Sequence, residues 1–171
     1  MTAIIFPGQG SQYVQMAKDF YDNFKIARET IEEIEDITLI KLRNIIYKNE
    51  DNLLNQTTYT QICIFATSMS IYKTLESEID LKLKNINYML GHSLGEYSAL
   101  TCSEKISLKD ASLILVKRGN LMSSSSKNKS TGMAALIGLN VKKIEQLISE
   151  NNINLQIAND NSPLQTVISG T

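Results

Sequence analysis

In the stretch MLGHSLGEYSAL, residues 89–100, a serine stands between two glycines as Gly91-x-Ser93-x-Gly95. Placed after an apolar run and before a helical stretch, that spacing reads as a nucleophile elbow. Such a tight strand-to-helix turn lifts a serine hydroxyl off a sheet so that it can attack an acyl carbon. The helix that follows begins with unpaired backbone N–H groups, which can face a developing oxyanion, and the N–H of Leu94 is the nearest of them. A second donor must come from another loop. The segment PGQGSQ, residues 7–12, fits, because glycines let backbone approach a ligand closely, and Gln9 would present its main-chain N–H there. Both loops also read as ordinary strand-to-helix turns. As a phosphate cradle, GQGSQ lacks the Lys-Ser/Thr pair of a P-loop and the third glycine of a dinucleotide fingerprint.

Arg118 is the next candidate. On a helical wheel at about 100° per residue, Ala111, Ile114, Leu115, Leu121 and Met122 fall within about 60° of it, so an arginine sits in an apolar stripe. Burying an unpaired charge costs several kcal/mol, so the guanidinium needs a carboxylate from the protein or from a ligand. An internal ion pair, a snorkelling side chain and a bidentate grip on a substrate carboxylate are all open readings. His92 is the single histidine. Neighbours at a sharp strand end tend to point to opposite sides, which turns His92 away from the Ser93 hydroxyl, and without another histidine no Ser-His pair closes within the chain. Cys63 and Cys102 are far apart and lack neighbouring ligand types, so they read as buried thiols rather than a disulfide or a metal site.

The elements that must position these groups follow from pattern. Residues 3–6 read as a short buried strand ended by Pro7 and the glycine loop, with helical pattern at 13–20. Further helices are expected near 27–35, 39–47 and 60–78. A polar break precedes a second strand, 86–90, which leads into the elbow. Ser107 followed by Asp110 is a capping signal for a helix over 108–122. SSSSKNKSTG, residues 123–132, reads as a polar linker. Beyond it the pattern is strand (133–139), helix (141–150, capped by Asn140), strand (155–158), turn (159–163) and strand (165–169). That β-α-β-β order is the front of a split ferredoxin-like β-α-β-β-α-β unit. No internal repeat is visible.

Bulk composition narrows the function classes. The chain has 171 residues, room for one domain with a core and part of another. Its 17 Lys plus Arg against 18 Asp plus Glu give a formal charge of -1, which disfavours a nucleic-acid or membrane-surface role. The N-terminus MTAIIFPGQG has no basic n-region, and no apolar run is long enough to span a bilayer. A soluble cytoplasmic protein is the expectation.

The combination FPGQGSQ, GHSLGEYSAL and RGNLM, with TYTQICIF, GMAALIGL and NDNSPLQTVISG, resembles the malonyl-CoA:acyl carrier protein transacylase family, to which polyketide synthase acyltransferase domains are related. The likeness runs from Ile4 to Gly170. It implies an α/β fold: an α/β-hydrolase-like large domain with a parallel sheet over residues 1–127, and the first part of a ferredoxin-like small domain over 128–171, both incomplete. It implies that Ser93 is the acylated nucleophile, that the N–H groups of Gln9 and Leu94 form the oxyanion hole, and that Arg118 grips the free carboxylate of malonate. Gln61 corresponds to a glutamine near the acyl pocket. The substrates implied are malonyl-CoA and acyl carrier protein, with no metal or redox cofactor and a monomer at full length. Ile62 stands where the family commonly has proline. The second departure is length, since the segment expected to bring the catalytic histidine is missing. A catalytically incomplete fragment that only binds or slowly acylates is the alternative, and a related serine hydrolase a third reading, in which Arg118 has no evident use.

Overall fold

The computed structural model describes residues 2–79, 86–126 and 131–170. The polar break at 80–85 and residues 127–130 of the expected linker lie outside them. Two compact units emerge, Met1–Ser123 and Ser124–Thr171.

In the first unit, β1 (Thr2–Phe6) pairs in parallel with β2 (Ile86–Gly91), with Phe6 opposite Gly91. Between them come α1 (Lys18–Asn23), α2 (Lys25–Thr38), α3 (Leu42–Tyr47), a short 3-10 segment (Glu50–Asn55) and α4 (Thr57–Ile79); α5 (Gly95–Cys102) and α6 (Leu108–Ser126), whose last three residues fall in the second unit, follow β2. The core is helical. On α2, Ala27, Thr30, Ile31 and Ile34 form one buried stripe, the signature of a helix packed on one side. That stripe packs on α4, which is buried nearly all round from Thr60 to Ser70. A helix surrounded by protein must satisfy its own hydroxyls. Those of Thr67 and Thr74 donate to the carbonyls of Cys63 and Ser70 one turn back, at 2.9 and 2.7 Å.

The expected helix over 13–20 is displaced. Gln15 and Ala17 take left-handed φ of 66° and 53°, so residues 14–17 form turns and α1 starts at Lys18. Likewise the helix expected from Leu39 begins at Leu42, because Leu39 itself is left-handed and ends α2. The 3-10 segment had no periodic signal. Ser107 caps α6 as its spacing predicts: its Oγ accepts from the Asp110 N–H at 2.9 Å and donates to Asp110 Oδ2 at 2.7 Å. The serine-rich stretch continues α6 to Ser126 instead of leaving the helix at Met122.

In the second unit, β3 (Gly132–Ile137), α7 (Val141–Glu150), β4 (Leu155–Ser162) and β5 (Gln165–Gly170) make an antiparallel sheet in the order β3-β5-β4. Asn140 Oδ1 caps α7 by accepting from the Lys143 N–H at 2.9 Å. The turn expected at 159–163 is shorter than that. β4 runs on to Ser162, because Asn159, Asp160 and Ser162 stay paired with β5 through two irregularities in register, and only Pro163 and Leu164 turn.

Candidate functional site

The elbow is a product of register. Because Phe6 lies opposite Gly91, the loops leaving β1 and β2 run side by side, tied by the His92 N–H donating to the Phe6 carbonyl at 3.1 Å. Ser93 sits at the tip with φ of +55°, a left-handed conformation that costs a residue with a side chain free energy and persists only where neighbours enforce it. Here the enforcement is close packing. A Cβ on Gly91 would collide with the carbonyl of Gly95, and one on Gly95 with the carbonyl of Phe6. Two turn bonds close the corner, from the Gly95 N–H to the His92 carbonyl at 2.9 Å and from the Glu96 N–H to the Ser93 carbonyl at 3.2 Å. The serine is exposed while Leu94 beneath it is fully buried.

Arg118 reaches this serine from α6. Its Nη2 donates to Ser93 Oγ at 2.9 Å and its Nη1 to Gln61 Oε1 at 2.6 Å. Gln61, fully buried in α4, donates its Nε2 to Met122 Sδ at 3.1 Å. The approach of the two helices is set by Gly119, where a Cβ would lie only 2.9 Å from the Thr58 carbonyl oxygen. That contact brings residues 118 and 122 to the first turns of α4. The loop after β1 is fastened to the same place, since Gln9 Nε2 donates to Thr57 Oγ1 at 3.1 Å.

The apolar stripe expected around Arg118 is only half buried. Ala111 and Leu115 are sealed, but Ile114, Leu121 and Met122 are exposed, so Arg118 stands at the border of the core. Nor is its partner a carboxylate. Among the described residues no ion pair involves Arg118, and its hydrogen-bond partners are a neutral amide and a hydroxyl. A cation held this way keeps its charge for an anion from outside.

The structure therefore brings together Ser93, Arg118 and Gln61, and sets the Gln9 loop beside the elbow. No hydrogen bond of the Leu94 or Gln9 N–H is found among the described residues. His92 turns the other way, its ring lying against Gly8, where a Cβ would come 2.5 Å from Nδ1. The cysteines take no part. Burial pushes the Cys63 and Cys102 thiols up to about 12, far from a thiolate nucleophile at neutral pH. No group of three or more His, Cys, Asp or Glu among the described residues could hold a metal ion. What sequence reasoning missed is the pairing role of Met122 and the contact at Gly119. A glycine inside a helical pattern was the available signal for the second.

Comparison with known proteins shows the family of the chain. The family described as acyl transferase domain matches residues 3–171, and the chain belongs to that family. Its relatives name a particular activity. The malonyl CoA-acyl carrier protein transacylase of Bacillus subtilis is 35% identical over 173 residues, covering 99% of this chain and 53% of that protein. The crystal structure of an acyl-carrier-protein S-malonyltransferase from Bartonella henselae superposes with a TM-score of 0.91 at 39% identity, over 99% of this chain and 55% of the other. A malonyl-transacylase solved in complex with a type II polyketide acyl-carrier protein has a TM-score of 0.87 at 33% identity, over 98% of this chain and 54% of that one. The chain thus spans about half the length of the relatives it matches.

Proposed function

We propose that this chain provides the nucleophile and acyl-binding part of an enzyme that moves a malonyl group from malonyl-CoA to the phosphopantetheine thiol of acyl carrier protein. The hydrogen bond between Arg118 and Ser93 carries the reading, because it sets a guanidinium that pairs with no carboxylate among the described residues against an exposed elbow hydroxyl. Ser93 Oγ attacks the thioester carbonyl and gives up its proton to a base. The tetrahedral oxyanion forms against the N–H groups of Gln9 and Leu94 and collapses to the serine ester as the CoA thiol leaves. The carrier thiol then attacks that ester and Ser93 recovers its proton. The free carboxylate of the malonyl ester stands one methylene beyond the ester carbonyl, within reach of Arg118, whose planar fork suits it.

His92, turned onto Gly8, is a poor base for this serine, so the reading takes the base from sequence outside these 171 residues. The substrates come from the names of the relatives. The strand order β3-β5-β4, with α7 joining β3 to β4, supports a ferredoxin-like small domain, and the strand-elbow-helix unit supports an α/β-hydrolase-like large one. The reading takes residues 1–127 and 128–171 as parts of these two domains, in a monomeric cytoplasmic enzyme; the ester chemistry itself needs no metal or redox cofactor. Among the described residues no helix is long and apolar enough to cross a membrane.

Intact-mass analysis of the complete protein with malonyl-CoA tests this directly. A malonyl adduct mapped to Ser93, lost in Ser93→Ala and discharged by acyl carrier protein, is the expected result. An adduct elsewhere, or transfer that survives Ser93→Ala, would overturn it. Arg118→Ala should weaken malonyl transfer far more than acetyl transfer, and equal losses would leave Arg118 a structural role only.

A further inference from the structure

Among the described residues Arg118 pairs with no carboxylate; a neutral side chain holds it, and the residue doing the holding lies out of reach of solvent. Gln61 has no exposed surface, and both ends of its amide are engaged. Their order is dictated by chemistry. A guanidinium only donates, so it takes Oε1, and a thioether only accepts, so Met122 takes Nε2. Arg118 and Met122 stand one turn apart on α6, and together they define which way the amide points. Glutamate has nearly the same shape as glutamine and would form a direct ion pair with Arg118. It would therefore neutralise the cation that a dicarboxylic acyl group needs.

We infer that Gln61 is a positioning residue that fixes Arg118 beside Ser93 without cancelling its charge, with Met122 orienting the amide, so that the preference for a carboxylate-bearing acyl group is set from within α4. This rests on the reading of Arg118 as the carboxylate site. Gln61 touches neither the acyl group nor the reacting atoms; it acts through the guanidinium.

The test uses kcat/KM for malonyl-CoA and acetyl-CoA in the complete protein, with circular dichroism to confirm folding. Gln61→Glu should cost malonyl transfer about tenfold or more, chiefly through KM, while acetyl transfer changes by no more than about twofold, as expected when a charged hydrogen-bond donor is diverted to an internal carboxylate. A structural role would not produce that split, because lost packing falls on both substrates alike. Gln61→Met, uncharged and of similar length, should lose the grip without neutralising the cation, giving a smaller malonyl-specific loss; it also serves if the glutamate variant fails to fold. Losses that fall equally on both substrates in these variants, or an unchanged ratio, overturn the inference. If Arg118→Ala also leaves the ratio unchanged, the carboxylate reading itself falls. If Arg118→Ala abolishes the preference while the Gln61 variants keep it, only the role given to Gln61 falls.

Discussion

The two units bury their apolar residues differently. In the first, a helical core seals Ile31, Ile34, Leu42, Ile46, Ile62 and Phe65 to 1% exposure or less. In the second, the strands carry Met133 and Ile137 at 66% and 79% exposure, and Ile144 is the one strongly buried hydrophobic among the described residues. The first unit thus has its own hydrophobic driving force, and the site is built at the edge of that core, at the first turns of α4. The second relies on its sheet ladder and on the cap of α7. Burial decides what a substitution costs, so equal changes should have unequal effects in the two.

The sharpest contrast comes from the core. Phe65→Ala should destabilise the first unit by about 3 to 5 kcal/mol, since the lost transfer energy adds to a cavity that the surrounding helices fill only partly. Urea denaturation followed by circular dichroism reads it, and a cost under about 1 kcal/mol would contradict a sealed core. Gly119→Ala should cost about 1 to 3 kcal/mol, because its methyl meets the Thr58 carbonyl and α6 must shift. The same shift withdraws Arg118, so malonyl transfer should fall more than acetyl transfer in the complete protein, a link between packing and selectivity that a purely structural glycine would lack. In the second unit, Asn140→Ala removes the one side-chain cap of α7 and should cost about 1 kcal/mol, visible as faster amide exchange in the first turn. Ile137→Ala, on an exposed strand position, should stay within about 0.5 kcal/mol. If it matched Phe65→Ala, the contrast between the units would be lost.

Much of the site was legible from local chemistry. Glycines two positions either side of a serine, flanked by an apolar run and a helical pattern, specify a turn whose geometry needs no distant information. The capping residues Ser107 and Asn140 were readable for the same reason, since a cap depends on a few consecutive residues. Misplaced boundaries have a local cause of another kind. Gln15, Ala17 and Leu39 adopt left-handed backbone, and their side chains advertise no preference for it, so the helices expected from residues 13 and 39 begin only at Lys18 and Leu42. The extent of α6 and β4 was decided by continued hydrogen bonding, which overrode the polar composition of SSSS and NDNS.

The partners of Arg118 belong to another category. Wheel geometry marked the arginine as needing company and favoured a carboxylate, yet its bonds go to Gln61 and Ser93, 57 and 25 positions away. Sequence by itself determined the strand-elbow-helix unit, the loop of Gln9 and the presence of a cation in an apolar pattern, because each is a property of neighbouring residues. Only the tertiary structure decided that this cation meets a serine and a neutral amide, since that depends on parallel register between β1 and β2 and on how closely α6 can approach α4 at Gly119.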